Sequence, residues 1–252
     1  MPLLSTFGAA SARGFGFSVN GGISDGPIVT DGLIWHFDAA NSSSYPGSGS
    51  TWYDLIGSQN GTLVSSPTYS DAASEGGGAF FFDGSNDYVT TNFSRTNGAF
   101  SFAVWYKPSS QNSNTNHWIA NTFESSSAEW WGLGLVGANT VGTPNWTIDN
   151  DSSKIEINAS ATTSVWQMIT GTRSGSTMKL YVNGTLAVTS TSLTTTTITG
   201  VEPIWLASRS NVGSSPSEQY TGWISDLKMY SKELSASEVT QNYDALKVRY
   251  GL

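Results

Sequence analysis

The chain has 252 residues, a formal net charge of -8, 12% charged residues, 27 glycines and no cysteine. The last count excludes disulfides, thiolate metal sites and a cysteine nucleophile, and the acidity disfavours nucleic acid and anionic lipid as partners. With 40 Ser, 28 Thr, 10 Trp, 10 Tyr and 11 Phe, the composition describes an all-β domain with a hydroxyl-rich surface, and neither a helical bundle nor a disordered chain.

Residues 1–27 stand apart, with six glycines, three phenylalanines and only Arg13 and Asp25 as charges. They lack both strand alternation and helical period, so they are expected to form an extended arm outside the core. Ordering such an arm requires a partner surface on which to bury Phe7, Phe15 and Phe17. The remainder, 28–252, reads as one domain, since β sandwiches reach ~200–250 residues. No stretch approaches the ~18 apolar residues of a membrane span. The start has no basic segment and its apolar run is broken by Ser5, Thr6 and Gly8, so no export signal is expected there.

From Ile28 onward strands alternate with turns. Leu33–Phe37 reads as a buried strand and Asn41–Gly49 as a Ser/Pro/Gly loop. Ala79–Phe82 runs into the turn Asp83-Gly84, and Tyr88-Val89 follows. Phe100, Phe102, Val104 and Tyr106 alternate with Ser101, Ala103, Trp105 and Lys107, the period of a strand with two distinct faces. Asn145–Asp149 and Lys154–Asn158 flank a polar turn, and Trp166–Arg173 is a further strand. Met178–Val182, Asn183-Gly184 and Thr185–Val188 predict a hairpin with a type I′ turn. Thr194–Thr197 suits an edge strand or loop, and Ile204–Ser208 and Trp223–Tyr230 complete the set. Leu234-Ser-Ala-Ser-Glu-Val239 carries a capping box, Ser235 with Glu238, and a hydrophobic staple, Leu234 with Val239. Val239, Tyr243 and Leu246 extend an apolar helical stripe, ending near Tyr250-Gly251.

Five of these segments, in this order, carry a resemblance. They are Phe82-Asp-Gly-Ser-Asn-Asp-Tyr-Val89, Phe100–Lys107, Trp166 followed by Tyr181-Val-Asn-Gly184, Gly222–Tyr230, and the Leu-Ser-x-x-Glu-Val helix. Over residues 28–250 the chain resembles the laminin-G-like, concanavalin A-like jelly roll. That resemblance implies a sandwich of two antiparallel sheets, one concave and one convex, in a family of lectins, carbohydrate-binding modules, adhesive domains and a few glycosidases. The opening segment Met1–Phe17, followed by such a domain and a Tyr-Gly-Leu terminus, resembles virion structural proteins of tailed phages of aquatic bacteria. It implies multi-copy display on a virion, as capsid decoration or tail component. The arm would then dock on other virion proteins through Phe7, Arg13, Phe15 and Phe17, with host-surface glycans as the expected ligand. A secreted, non-catalytic carbohydrate-binding or adhesion module is the alternative, with an extracellular location.

No enzyme is expected. Glycosidases need two flanking carboxylates, and the Glu-x-Asp-x-(x)-Glu run of the related laminarinase-type enzymes is absent. Asp149 and Asp151 fall in a turn, Glu156 is alone on its strand, and His36 and His117 have no triad or metal spacing. Sugar binding needs aromatic platforms with polar groups beside them. In Ala128–Val136, Trp131, Leu133 and Leu135 share one strand face, and Trp130, Gly132 and Gly134 share the other. The two glycines leave room for a groove with Trp130 as platform and Glu129, Asn121 and Trp118 as further contacts, Trp52 being a lesser candidate. Alternatively these Trp pack in the core. The resemblance also implies a structural Ca2+ held by the last-strand Asp226 and, near the first strand, Asp38. Ser225 stands where the family prefers a second Asp, and pairing of Asp226 with a neighbouring lysine is the alternative.

Overall fold

A computed structural model describes residues 26–94, 98–109, 116–122, 129–137, 142–150, 153–160, 164–193, 203–209 and 217–252. The arm contacts Phe7, Arg13, Phe15 and Phe17, together with Asp151 and Thr194–Thr197, lie outside these residues. The strands are β1 (Leu33–Asp38), β2 (Thr51–Trp52), β3 (Gly61–Val64), β4 (Thr68–Ser70), β5 (Ala79–Asp83), β6 (Tyr88–Ser94), β7 (Phe100–Pro108) and β8 (His117–Asn121). They continue as β9 (Glu129–Val136), β10 (Thr143–Asn150), β11 (Lys154–Asn158), β12 (Gln167–Ser174), β13 (Thr177–Val182), β14 (Thr185–Ser190), β15 (Pro203–Leu206) and β16 (Thr221–Tyr230), before helix α1 (Ala236–Lys247).

They form two antiparallel sheets. Sheet one runs β14-β13-β12-β7-β16-β5-β4. The long β16 pairs with β7 along one edge and, along the other, with β5 at Thr221–Ile224 and β1 at Asp226–Tyr230. Sheet two runs β11-β10-β9-β8-β15-β6-β3-β2. Between them lies a core that includes Trp35, Phe37, Phe82, Phe102, Val104, Trp131, Trp146, Leu206 and Leu227. Burying each large apolar side chain stabilises by ~1.5–3 kcal/mol. The inner alternates of β9 do this across the gap: Trp131 meets Phe100 and Phe102 of the facing sheet at 5.5 and 5.6 Å between ring centres.

The alternation along β7 predicts two distinct faces, and both are buried. Phe100, Phe102, Val104 and Tyr106 enter the inter-sheet core. Trp105, on the opposite face, joins Met168, Tyr181, Tyr230, Leu234, Val239 and Tyr250 in a second cluster beneath α1. The helix begins as its sequence requires. Ser235 Oγ accepts from the Glu238 amide at 3.3 Å, and Glu238 Oε2 accepts from the Ser235 amide at 2.8 Å. The staple residues Leu234 and Val239 are both buried. The Asn183-Gly184 turn has φ of 48° and 77°, the positive pair of a type I′ turn. Gly184 also lies against Tyr243 of the helix, and its carbonyl accepts from Thr240 Oγ1 at 3.0 Å. The segment entering β1 is tied to the same helix: the Val29 amide donates to Asn242 Oδ1 at 2.8 Å, and Tyr230 Oη donates to the Val29 carbonyl at 3.1 Å. The chain's own C-terminal region thus covers the part of sheet one's outer face around Trp105, Met168, Tyr181 and Tyr230, while Phe81 and Trp223, paired further along, are half-buried.

Candidate functional site on the outer face of sheet two

The outer face of sheet two is built differently. The pairings place Glu156, Thr147, Gly132, Asn121, Trp205, Thr90, Thr62 and Thr51 side by side across all eight strands. Their chain neighbours Ile157, Trp146, Ile148, Trp131, Leu133, Ala120, Ile204, Leu206, Val89 and Leu63 point into the core, so this row faces outward.

Three of the eight, Thr147, Gly132 and Asn121, are buried. The indole of Trp118 lies flat on Gly132, where a Cβ would come within 2.5 Å of its ring carbons. The space that the spacing of Gly132 and Gly134 predicts as a groove is therefore filled, by the Trp118 ring at Gly132 and by the His117 backbone at Gly134. Trp118 is held there by the segment entering β16. Its Nε1 donates to Glu218 Oε2 at 2.6 Å, and its amide donates to the Glu218 carbonyl at 3.1 Å. Glu218 Oε1 accepts from Arg209 at 2.9 Å. Glu218 holds a left-handed backbone with φ of 50°, a conformation disfavoured outside glycine. Trp130 packs edge-on against Trp118 at 5.3 Å, with the Lys154 ammonium 5.7 Å above its ring.

The predicted sugar contacts are brought together here but are not open. Trp118 and Trp130 are buried, and Glu129 is half-buried. Asn121 is fully buried and donates to the Ser208 carbonyl at 2.6 Å. Trp52 lies in the core, stacked on Phe37.

A partly accessible aromatic pair lies further along this face, on β6 and β15. Tyr88 and Trp205 stack at 4.9 Å with 7° between their planes, and both are half-buried. They occupy diagonal positions on β6 and β15, since Trp205 is opposite Thr90, two residues from Tyr88. Around them lie Thr90 and Thr51, half-buried, and Thr62 and Asn92, exposed. Rings beside uncharged hydroxyl and amide groups suit a ligand with apolar C–H faces and hydroxyls. Trp205 was detectable in the sequence: flanked by Ile204 and Leu206, it must point away from the face they bury. Glu218, a loop residue in a Ser-rich stretch, carried no such signal.

The carboxylates linked to calcium do meet. Ligand atoms of His36, Asp38 and Asp226 lie within 4.8 Å of one another, on the outer face of sheet one. A bulge in β16 between Ile224 and Asp226 turns Ser225 and Asp226 both away from the core. Each carboxylate already has a cation. Lys228 Nζ pairs with Asp226 Oδ1, both groups being buried. Arg249 pairs with Asp38 Oδ1 at 2.8 Å. His36 Nε2 meets Asp226 Oδ2 at 2.9 Å. Burial pushes the Asp226 carboxyl up, but Lys228, His36 and Arg249 outweigh it and hold the group well below the usual carboxylate range. Calcium takes six to eight oxygens. A set with one imidazole nitrogen and two resident cations does not fit it.

The fold and this layout define the class: a two-sheet, concanavalin A-like jelly roll. The chain belongs to the concanavalin A-like lectin/glucanases superfamily, whose family model matches residues 82–240. No curated protein sequence matches it. Among solved structures it is similar to domain 4 of AbnA, a GH43 extracellular arabinanase from Geobacillus stearothermophilus, in complex with arabinotriose. There the TM-score is 0.61 at 16% identity, over 84% of this chain and 98% of that one. It is also similar to the binding domain of Paraclostridial Mosquitocidal Protein 1, with a TM-score of 0.63 at 16% identity, over 84% of this chain and 52% of that one. A third is botulinum neurotoxin type C, which depends on interaction with two ganglioside molecules to get into cells; the TM-score is 0.62 at 18% identity, over 85% of this chain and 51% of that one. The chain thus spans about half the length of the two toxin structures. At these identities the likeness establishes the fold.

Proposed function

We propose that this chain is a non-catalytic glycan-binding domain whose platform is the Tyr88–Trp205 pair, with Thr51, Thr62 and Thr90 as hydroxyl partners. One observation carries this: on the outer face of sheet two a stacked, half-buried Tyr88–Trp205 pair lies among uncharged hydroxyl and amide groups, whereas the half-buried Phe81–Trp223 pair on the outer face of sheet one lies beside the Lys107 ammonium. That two similar domains are described with arabinotriose or gangliosides supports the ligand class. The setting follows from the resemblance of Met1–Phe17 to virion structural proteins. The arm 1–27 anchors many copies on a particle, and avidity raises weak single-site affinity. The alternative setting is a secreted extracellular module.

A glycan array with the full chain, followed by calorimetry on the best ligand, tests the binding. Trp205→Ala should weaken it at least ~30-fold, the scale of a truncated aromatic hot spot of about 2 kcal/mol. Unchanged affinity in a folded variant, or no wild-type binding at all, overturns the proposal. Limited proteolysis of assembled particles tests the setting: free release of residues 1–27 would exclude docking through the arm.

A further inference from the structure

We propose that the His36–Asp38–Asp226 cluster is a metal-independent clasp, in which Lys228 and Arg249 stand in for a divalent cation and lock the C-terminus onto sheet one. Three observations carry this. First, the carboxylates come from different strands, Asp38 on β1 and Asp226 on β16, directly opposite each other. Two carboxylates so close repel each other unless a cation lies between them. Second, the cations are built in and few in number. Lys228 is two residues from Asp226 on the same strand face, and both are 2% exposed. A buried cation of this kind occupies the region that an incoming ion would need, and its fixed charge opposes a second one.

Third, Arg249 bridges parts of the chain in the way a metal does. It pairs with Asp38, and it donates to Ser225 Oγ at 2.8 Å and to the Gly76 carbonyl at 2.6 Å. The planar guanidinium suits several fixed acceptors at once. Its neighbour Tyr250 donates to Ser225 Oγ at 2.9 Å and stacks on Trp105 at 4.2 Å. Ser225 Oγ in turn donates to the Gly78 carbonyl at 2.5 Å. The short turn after α1 is thereby joined to β1, β16, β7 and the 76–78 loop. The consequence is a domain that keeps its C-terminal cover, and so its shape, whatever the divalent cation concentration around it.

Thermal unfolding of the full chain, with EDTA and with millimolar calcium, tests this. The wild-type midpoint should be the same in both. The Lys228→Met/Arg249→Met double variant removes the charges and keeps the apolar stems. Its midpoint should be lower, and calcium or zinc should raise it, by roughly 5 to 10 °C at a metal concentration a hundredfold above Kd. A wild-type midpoint that falls in EDTA or rises with calcium overturns the proposal, as does a folded double variant with no metal response. If the double variant does not fold, the wild-type comparison decides by itself, supported by calorimetry: saturable calcium binding at one site per chain refutes the clasp, and its absence upholds it.

Discussion

Gly132→Ala probes how the outer face of sheet two is built. The added Cβ would lie 2.5 Å from Cε3 and Cζ3 of Trp118, about 1 Å inside ordinary contact. The strand cannot yield, because β9 is paired on both sides, to β8 and β10. The indole must therefore move, and with it the 2.6 Å bond from Nε1 to Glu218. Overpacking of this kind costs ~1–3 kcal/mol, and loss of a hydrogen bond to a charged group adds ~1.5–3. Allowing for partial relaxation, about 2–4 kcal/mol is expected, or roughly 5 to 15 °C in the midpoint for a domain of this size. Calorimetry gives the midpoint, and near-ultraviolet circular dichroism reports the Trp118–Trp130 pair. The decisive measurement is the double-mutant cycle with Trp118→Ala. Without the ring, Gly132→Ala should become neutral or stabilise by ~0.5–1 kcal/mol, since glycine weakens a strand. An equal cost in both backgrounds would refute the proposed contact and, with it, the account of what covers Gly132.

Two further outcomes follow from the helix. Ser235→Ala removes the side chain that accepts from the Glu238 amide, and should lower stability by ~1 kcal/mol in urea unfolding with an unchanged m-value. Glu238 is held below its ordinary value of 4.5, first by the hydrogen bond from Lys232 and then by the Ser235 amide. A depressed carboxylate contributes its stability in full above its unfolded value and loses it as pH falls through the folded one. The difference in urea midpoint between wild type and Glu238→Gln should therefore be largest near neutral pH and shrink below pH 4.5. A constant difference down to pH 3 would contradict the ion pair.

What could be read from the residues was mainly local. Asn183-Gly184 requires a turn with two positive φ values, and Ser235 with Glu238 requires a helix start; both are present as expected. The period of two along Phe100–Lys107 marks a strand, but whether its second face meets water or a helix depends on α1, which follows more than a hundred residues later. The same limit governs the sites. Trp130 beside two glycines predicts an open groove only while Trp118 is out of view. The β8–β9 pairing that brings them together contains a register shift between Trp118 and Ala120, which no local pattern encodes. Asp226 and Lys228 could be placed on one strand face from their spacing, so their pairing was foreseeable. Arg249, in the turn after the helix, could not be brought to Asp38 by any periodicity.

The two outer faces differ in what covers them. Sheet one packs much of its outer surface against α1, the clasp around Arg249 and the segment at Val29, and the proposed glycan site lies on the opposite face. On that face Trp118, pinned by Glu218, covers Gly132 on β9. The open part runs from Trp205 on β15 through Thr90 and Thr62 to Thr51 on β2. Four strands at ~4.8 Å spacing span about 14 Å. That length suits a short oligosaccharide better than a long polymer lying across the whole sheet. A ligand of that size gains little from contact area and depends on one well-placed stacking surface. On the proposed reading, binding strength should thus be concentrated in Trp205 and its support by Tyr88.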